Sequence, residues 1–121
     1  MKLLTKEIQN KMPFTEKAVI EDLNELPIIV KYFGGASYSL FVVSADVILA
    51  DGQLVKLKDV KNVDDKNEVQ DVIFYGYVKG LQQDEFGYTS FNELKALRFP
   101  PFGLRVERDM YFDNKKIKDI I

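Results

Sequence analysis

A helix signal that ends abruptly at two consecutive prolines sets the firmest limit on how this chain can fold. Ser90 stands three residues before Glu93, the capping-box arrangement that satisfies amide donors at a helix start. The apolar side chains that follow recur every three residues along one side of a helix: Phe91, Leu94 and Leu97. Pro100 and Pro101 lack an amide hydrogen and disfavour a helical predecessor. The sequence therefore predicts a short helix over residues 90–98.

After Gly103 the apolar residues recur with a period of two, which predicts a β-strand over residues 104–112. One face of this strand carries Leu104, Val106, Met110 and Phe112, and the other carries Arg105, Glu107, Asp109 and Tyr111. Arg108 breaks the alternation, because its position places a charge on the apolar face, where a charge is costly unless it is paired. Two interpretations stay open for Arg108. It has either a structural role with a carboxylate or carbonyl partner, or a role in a cleft that binds an anionic group.

Three strings in the chain resemble a known bacterial family: LLTKE, FGYTSFNELKALR and PFGLRVERDMYF. The family is catalogued as domain of unknown function 2958, and the triplet Glu107-Arg108-Asp109 before Tyr111 and Phe112 is the most specific part of the resemblance. The resemblance implies a small protein encoded on a plasmid or conjugative element, and it implies no activity. Residues 56–71 depart from the family pattern, and we expect them to form a longer hairpin.

Composition narrows the chemistry that is available. The chain of 121 residues fits one domain over residues 1–121, and its 46% hydrophobic content is typical of a globular protein. It has no cysteine and no histidine, which excludes disulfides, thiolate metal sites and an imidazole base. The net charge of −2 argues against binding nucleic acid by default. With no recognisable targeting or membrane-spanning segment, we expect a cytoplasmic protein that does not bind membranes.

The first half of the chain predicts two short helices followed by strands. Thr5 and Thr15 match helix N-caps, the first helix ending before Pro13 and the second running through Leu26 to Pro27. These segments could equally form a loose helical arm. Strands are predicted over residues 28–33, 38–49, 53–60 and 69–81.

Turn signals separate these strands. Asp51-Gly52 favours a type I′ turn, and the acidic stretch 62–71 lacks the spacing of a calcium loop, which favours a solvated hairpin tip. Gly76 and Gly80 indicate a bulge or a close backbone approach. The last residues form a basic tail, either a short amphipathic helix or a frayed end. We therefore expect an α+β domain, a mainly antiparallel sheet of about five strands with the N-terminal helices and the helix near residues 90–98 on one face.

Two classes of function stay open. Glu107 and Asp109 with a nearby lysine would suit a metal-dependent nuclease, but Arg105 competes for the two carboxylates. Six tyrosines suit a binding surface. We expect a non-catalytic binding module for a protein partner, without cofactor, metal or catalytic residues. The alternative is a metal-dependent nuclease or a single-stranded nucleic-acid-binding protein that uses Glu107 and Asp109. The candidate binding residues are Arg105, Glu107, Arg108, Asp109, Tyr111 and Tyr88.

Overall fold

A computed structural model describes residues 2–18, 22–81 and 83–121. Within these ranges the chain forms one six-stranded sheet and three short α-helices, which confirms the predicted α+β class. The strands are β1 (Val30–Gly34), β2 (Tyr38–Leu49), β3 (Leu54–Lys56), β4 (Val69–Lys79), β5 (Glu85–Ser90) and β6 (Glu107–Arg108). The helices are α1 (Lys6–Lys11), α2 (Thr15–Ala18) and α3 (Phe91–Ala96), with 3-10 helices at Leu23–Glu25, Leu57–Asp59 and Ile117–Asp119. No helix in these ranges is long and apolar enough to span a bilayer.

The strand β2 is the centre of the sheet, as its apolar residues on both faces predict. The strand order is β5-β4-β2-β1-β6, and every pairing is antiparallel. One edge of β2 pairs with β4 along residues 39–49. The other edge pairs with β1 over residues 38–42 and with β3 over residues 46–48. Between these two pairings the amide of Ala45 donates a hydrogen bond to the carbonyl oxygen of Pro13, 3.0 Å away, so the N-terminal segment fills the gap.

Apolar side chains cover both faces of the sheet. On the first face, α1 and α3 pack against the sheet through Ile8, Met12, Phe91 and Leu94, which meet Val30, Tyr32, Leu40, Val42 and Phe74. On the second face the core is smaller and consists of Leu26, Ile28, Phe41, Val43 and Ile117. The side chains of Tyr75, Tyr77 and Phe86 on β4 and β5 are partly buried against this second core.

The predicted N-caps of α1 and α3 are confirmed. The Thr5 hydroxyl accepts a hydrogen bond from the amide of Ile8, and the Ser90 hydroxyl accepts one from the amide of Glu93, each at 3.2 Å. The carboxylate of Asp71 on β4 adds a second acceptor for this end of α3, since the amide of Asn92 donates to it at 3.1 Å. The helix α3 ends at Ala96, two residues earlier than predicted.

The predicted helix from Thr15 through Leu26 is wrong. Helix α2 ends at Ala18, and Asp22 is extended and caps a separate 3-10 helix, with its carboxylate 3.0 Å from the amide of Asn24. An aspartate that accepts a bond from an amide two residues ahead competes with helix continuation. Val19, which falls within the predicted range of this helix, lies outside the described residues.

The strand predicted over residues 53–60 is much shorter. It ends at Lys56 because Leu57 turns into the core as the first residue of a 3-10 helix, where the buried Gln9 amide donates to its carbonyl oxygen. The turn before this strand is not type I′. That turn type needs a positive φ at both central residues, whereas here Gly52 alone of the pair has one, φ +90. The expected longer hairpin over residues 56–71 is also wrong, because β3 and β4 both pair with β2.

The strand predicted over residues 104–112 is reduced to Glu107–Arg108. Phe99 and Leu104 exchange two backbone hydrogen bonds, of 2.9 and 3.2 Å, which closes a tight loop through the two prolines. Leu104 and Met110 of the expected apolar face are 62% and 63% exposed, and Val106 alone of that set is buried. The carboxylate of Asp109 accepts a hydrogen bond from the amide of Tyr111, which turns the chain away from the sheet.

The basic tail is not frayed, since it is bonded to the segment that precedes β1. The amide of Ile117 donates to the carbonyl oxygen of Leu26, and the amide of Ile28 donates to that of Lys115, at 3.0 and 2.9 Å. The carboxylate of Glu25 lies 3.1 Å from the ammonium group of Lys116 and 3.0 Å from that of Lys118. Hydrogen bonds from Lys118 and Lys116 lower the pKa of Glu25, and the bond from Lys118 has the larger effect.

Candidate functional site: an open sheet edge and its groove

The charged residues predicted from the sequence lie on β6 and in the loop after it. Glu107 is exposed and pairs with Phe33 of β1. Arg108 is partly buried, and its Nε donates to the carbonyl oxygen of Lys2, 3.0 Å away, which is the carbonyl partner expected for a structural role. The carboxylate of Asp109 lies 3.7 Å from the ammonium group of Lys31.

The candidate residues near β6 do not share one concave surface. Arg108 and Asp109 line a cavity of about 590 Å³ between α1 and the edge of β1. Arg105 is exposed and lines a different cavity of about 260 Å³. Tyr111 is 96% exposed and borders a third of about 430 Å³, which Asp109 also lines. Within the described ranges, no three acidic side chains are close enough to hold a metal ion together.

Tyr88 lies at the opposite edge of the sheet from the other five candidates. It belongs to β5, and β4, β2 and β1 separate β5 from β6. Neighbouring strands are about 4.8 Å apart, so four such steps place the two edges roughly 19 Å from one another. The structure therefore does not bring Tyr88 together with Glu107 and Arg108.

The edge of the sheet at β1 is closed by the segment that follows α3. Besides the short pairing with β6, the amide of Asp109 donates to the carbonyl oxygen of Lys31, and that of Ile28 donates to the carbonyl oxygen of Lys115, each at 2.9 Å. The backbone groups of this edge thus have partners within the chain over most of its length. A sheet edge covered in this way is protected against pairing with another chain.

The edge at β5 is open in the described part of the chain. Strand β5 pairs with β4 in unbroken register from Glu85 to Ser90, and no described strand lies on its other side. Proteins usually protect such an edge with proline, lysine or a β-bulge. The sequence EFGYTS has neither residue, and the register contains no bulge. Alternate residues of β5 therefore direct amide and carbonyl groups outward, where a further strand could pair with them.

A groove of about 910 Å³ runs beside this open edge, and we call it the β5 groove. Its walls are apolar and consist of Tyr38, Val78, Leu81, Leu94, Leu97 and Phe99, and its rim consists of Gln83, Glu93 and residues 85–89 of β5. Leu81 is 65% exposed and Leu97 is 36% exposed, so apolar surface faces water here. Burial raises the pKa of Tyr38, one of the wall residues.

A pair of glycines opens the groove. Gly87 of β5 pairs with Gly76 of β4, so two neighbouring strands present no side chain at this point. A β-carbon at Gly76 would collide with the backbone of Phe41, which confirms the close approach predicted there. A β-carbon at Gly87 would meet nothing within 4 Å. The space over Gly87 is thus free for a side chain from outside.

Charge at the groove has one sign. Glu85 stands at the start of β5, and Glu93 stands just beyond its end in the first turn of α3. The side-chain amide of Gln83 donates to the carboxylate of Glu85 at 2.9 Å. Among the described residues that line the groove, none is basic.

Aromatic rings cover the other face of the same edge. The ring of Tyr75 is 5.0 Å from that of Tyr88 and 5.9 Å from that of Phe86, and Tyr77 meets Phe86 edge-on at 5.1 Å. Tyr88 is 66% exposed. Burial, and then the neighbouring Tyr88, raise the pKa of Tyr75. Large, partly exposed rings of this kind are typical of protein interfaces.

Sequence reasoning identified Tyr88 but missed β5 itself and the groove. The alternation of Phe86 and Tyr88 was a strand signal, but it is short and runs directly into the helix cap at Ser90. The groove residues come from β2, β4, β5, α3, the connection between β4 and β5, and the loop after α3, and no local pattern joins them.

Comparison with known proteins supports the resemblance and adds no activity. Residues 63–118 match the model of a family described as "Protein of unknown function (DUF2958)". The matched segment includes β4, β5, α3 and β6, and it contains two of the three strings that carry the resemblance. It begins inside the stretch that was expected to depart from the family pattern. No curated protein matches the chain, and no solved structure matches it.

Proposed function

We propose that this chain is a non-catalytic binding module that binds an extended segment of a protein partner at β5. The observation that carries the proposal is the contrast between the edge at β1 and the edge at β5. The edge at β1 is covered by the chain. The edge strand β5 is regular and uncharged beyond Glu85, and no described strand lies on its outer side. A strand added to such an edge gains main-chain hydrogen bonds, and the adjacent groove selects its side chains.

The setting that we propose for this activity follows from the sequence. The family resemblance implies an accessory protein of a plasmid or other mobile element. A cytoplasmic location stays a prediction.

The alternative function, a metal-dependent nuclease or single-stranded nucleic-acid-binding protein that uses Glu107 and Asp109, stays a prediction. The geometry supports it less than it supports peptide binding. The ammonium group of Lys31 and the amide of Tyr111 both engage the Asp109 carboxylate, and both would compete with a cation. A divalent cation needs several oxygen ligands that converge on it.

The proposal is tested by selecting binders from a random twelve-residue peptide library and measuring their affinity for two variants, Gly87→Pro and Tyr88→Pro. Neighbouring strand residues direct their amides to opposite sides, so one of these prolines removes a bond to β4 and the other removes only an outward donor. We expect the variant that loses only an outward amide donor to fold like the wild type. Its affinity for the selected peptides should fall by tenfold or more.

Two results would contradict the proposal. One is that the well-folded proline variant binds the selected peptides as tightly as the wild type. The other is that magnesium or manganese raises the melting temperature and supports DNA cleavage, with both effects lost in Glu107→Gln/Asp109→Asn. That result would favour the nuclease.

A further inference from the structure

We infer that the segment bound at β5 carries an apolar side chain over Gly87 and a basic side chain two positions away on each side. This inference rests on the proposed function and specifies its partner: an extended segment of the pattern basic-x-apolar-x-basic. The pattern reads the same in both directions, so it holds for a parallel or an antiparallel added strand.

The apolar position follows from the paired glycines. Side chains two residues apart along a strand lie on the same face, and those of neighbouring strands lie side by side. A residue added opposite Gly87 therefore meets an empty position, because a β-carbon there has no heavy atom within 4 Å. The nearby walls of the β5 groove include Leu94, Leu97 and Phe99. An apolar side chain in this place removes both its own surface and theirs from water.

The basic positions follow from the charges at the two ends of the groove. Glu85 lies two residues before Gly87, and Glu93 follows the end of β5, bound through its amide to Ser90. None of the described lining residues is a cation that could neutralise either carboxylate. Opposite charges directly across a strand pair stabilise it, as a basic side chain opposite Glu85 would. The second basic side chain stands opposite Thr89, and we place it there because Glu93 of α3 lines the same groove.

The same charges argue against a second copy of this chain as the occupant. Pairing β5 with β5 of another molecule would bring Glu85 and Glu93 of both copies to one interface. The acidic rim likewise disfavours nucleic acid, whose phosphates would meet these carboxylates. A basic segment of a partner protein is the occupant that fits.

The inference is tested with three blocked heptapeptides and the full chain at low ionic strength. The reference peptide is Thr-Lys-Thr-Leu-Thr-Lys-Thr, the second has glutamate for both lysines, and the third has alanine for leucine. We expect both altered peptides to bind at least about tenfold more weakly than the reference. Salt should reduce the affinity difference between the lysine and glutamate peptides, because salt screens interactions between exposed charges. The affinity difference between the leucine and alanine peptides should remain, because it does not depend on charge.

Variants of the chain provide the matched half of the experiment. Gly87→Val fills the empty position with a strand-favouring side chain, so it should fold normally and lose the preference for leucine over alanine. Glu85→Gln/Glu93→Gln should lose the preference for lysine over glutamate. Glu68→Gln, which replaces an exposed carboxylate in the loop before β4, serves as the control and should change neither preference.

Three outcomes would overturn the inference: equal affinities for all three peptides, no binding of the reference peptide, or concentration-dependent dimerisation through β5. The proposed function fails separately. If library-selected peptides of another pattern bind at β5 and are lost in the proline variant, strand addition stands while the basic-x-apolar-x-basic pattern is wrong.

Discussion

Arg108 is a charged residue at a position where the strand pattern predicts an apolar one. Its charge falls on the buried side of the pairing with Tyr32, and its Nε reaches the carbonyl oxygen of Lys2. That bond ties the N-terminal segment to the far edge of the sheet, more than a hundred residues away in sequence. Arg108 thus helps to close the edge of the sheet at β1. The opposite edge, at β5, is open in the described part of the chain.

We expect Arg108→Ala to lower the free energy of unfolding by about 1.5 kcal/mol. A hydrogen bond with a charged donor contributes about 1.5–3 kcal/mol, and the exposed Lys2 places this one at the lower end. Urea denaturation measures the loss, with Arg105→Ala as the exposed control. Peptide binding at β5 should not change. Unaltered stability together with lost binding would contradict the structural role and move the site to β6.

At the scale of elements, the glycine pair of β4 and β5 gives a sharp internal comparison. Gly76→Ala forces a β-carbon into the backbone of Phe41, and we expect a loss of about 2–3 kcal/mol, the upper range for overpacking. Gly87→Ala enters open space and should be neutral or stabilising by up to about 1 kcal/mol, because it restricts the unfolded chain. Thermal or urea unfolding of the two variants measures both effects. Equal losses would show that the groove over Gly87 is not open.

The ion pairs of Glu25 with Lys116 and Lys118 at the C-terminal 3-10 helix predict that the stability of the fold depends on pH. The pKa of Glu25 is lower in the folded chain than its ordinary value of 4.5, so its ion pairs stabilise the fold above pH 4.5. This contribution is lost as the pH falls through the folded pKa. We therefore expect Glu25→Gln to unfold more easily than the wild type at neutral pH and to match it in strong acid. Glu68→Gln, which replaces an exposed acid in a loop, is the control. A constant difference across this range would contradict the role of Glu25.

Helices and strands whose positions depend on neighbouring residues were predictable from the sequence. Strands whose length depends on their place at the edge of the sheet were not. Thr5 and Ser90 make their caps with amides three residues away, and β2 is apolar on both faces wherever it lies. The prediction of a strand over residues 104–112 was wrong for most of its length, although polar and apolar residues do alternate there. At the sheet edge only two of its residues pair with β1, and the bond from Tyr111 to the Asp109 carboxylate gives the loop a competing turn.

At the scale of the whole molecule, the asymmetry between the two sheet edges is the central feature. The charges near Arg108 form a local pattern in the sequence, whereas an unpaired strand edge does not. Which strand becomes an unpaired edge depends on the order β5-β4-β2-β1-β6, and that order follows from long-range pairing. The candidate site at β5 was therefore predictable only in Tyr88, whose ring signals an interface regardless of its neighbours.

The most direct test of strand addition is residue-resolved amide hydrogen exchange of β5, with and without a library-selected peptide. In the free chain, alternate amides from Phe86 to Ser90 should exchange rapidly, because they face outward without a partner. With peptide bound, these same amides should become protected, while the amides of residues 107–111 keep their rates. Protection of those outward amides in the free chain, or peptide-induced protection at residues 107–111 alone, would contradict the account.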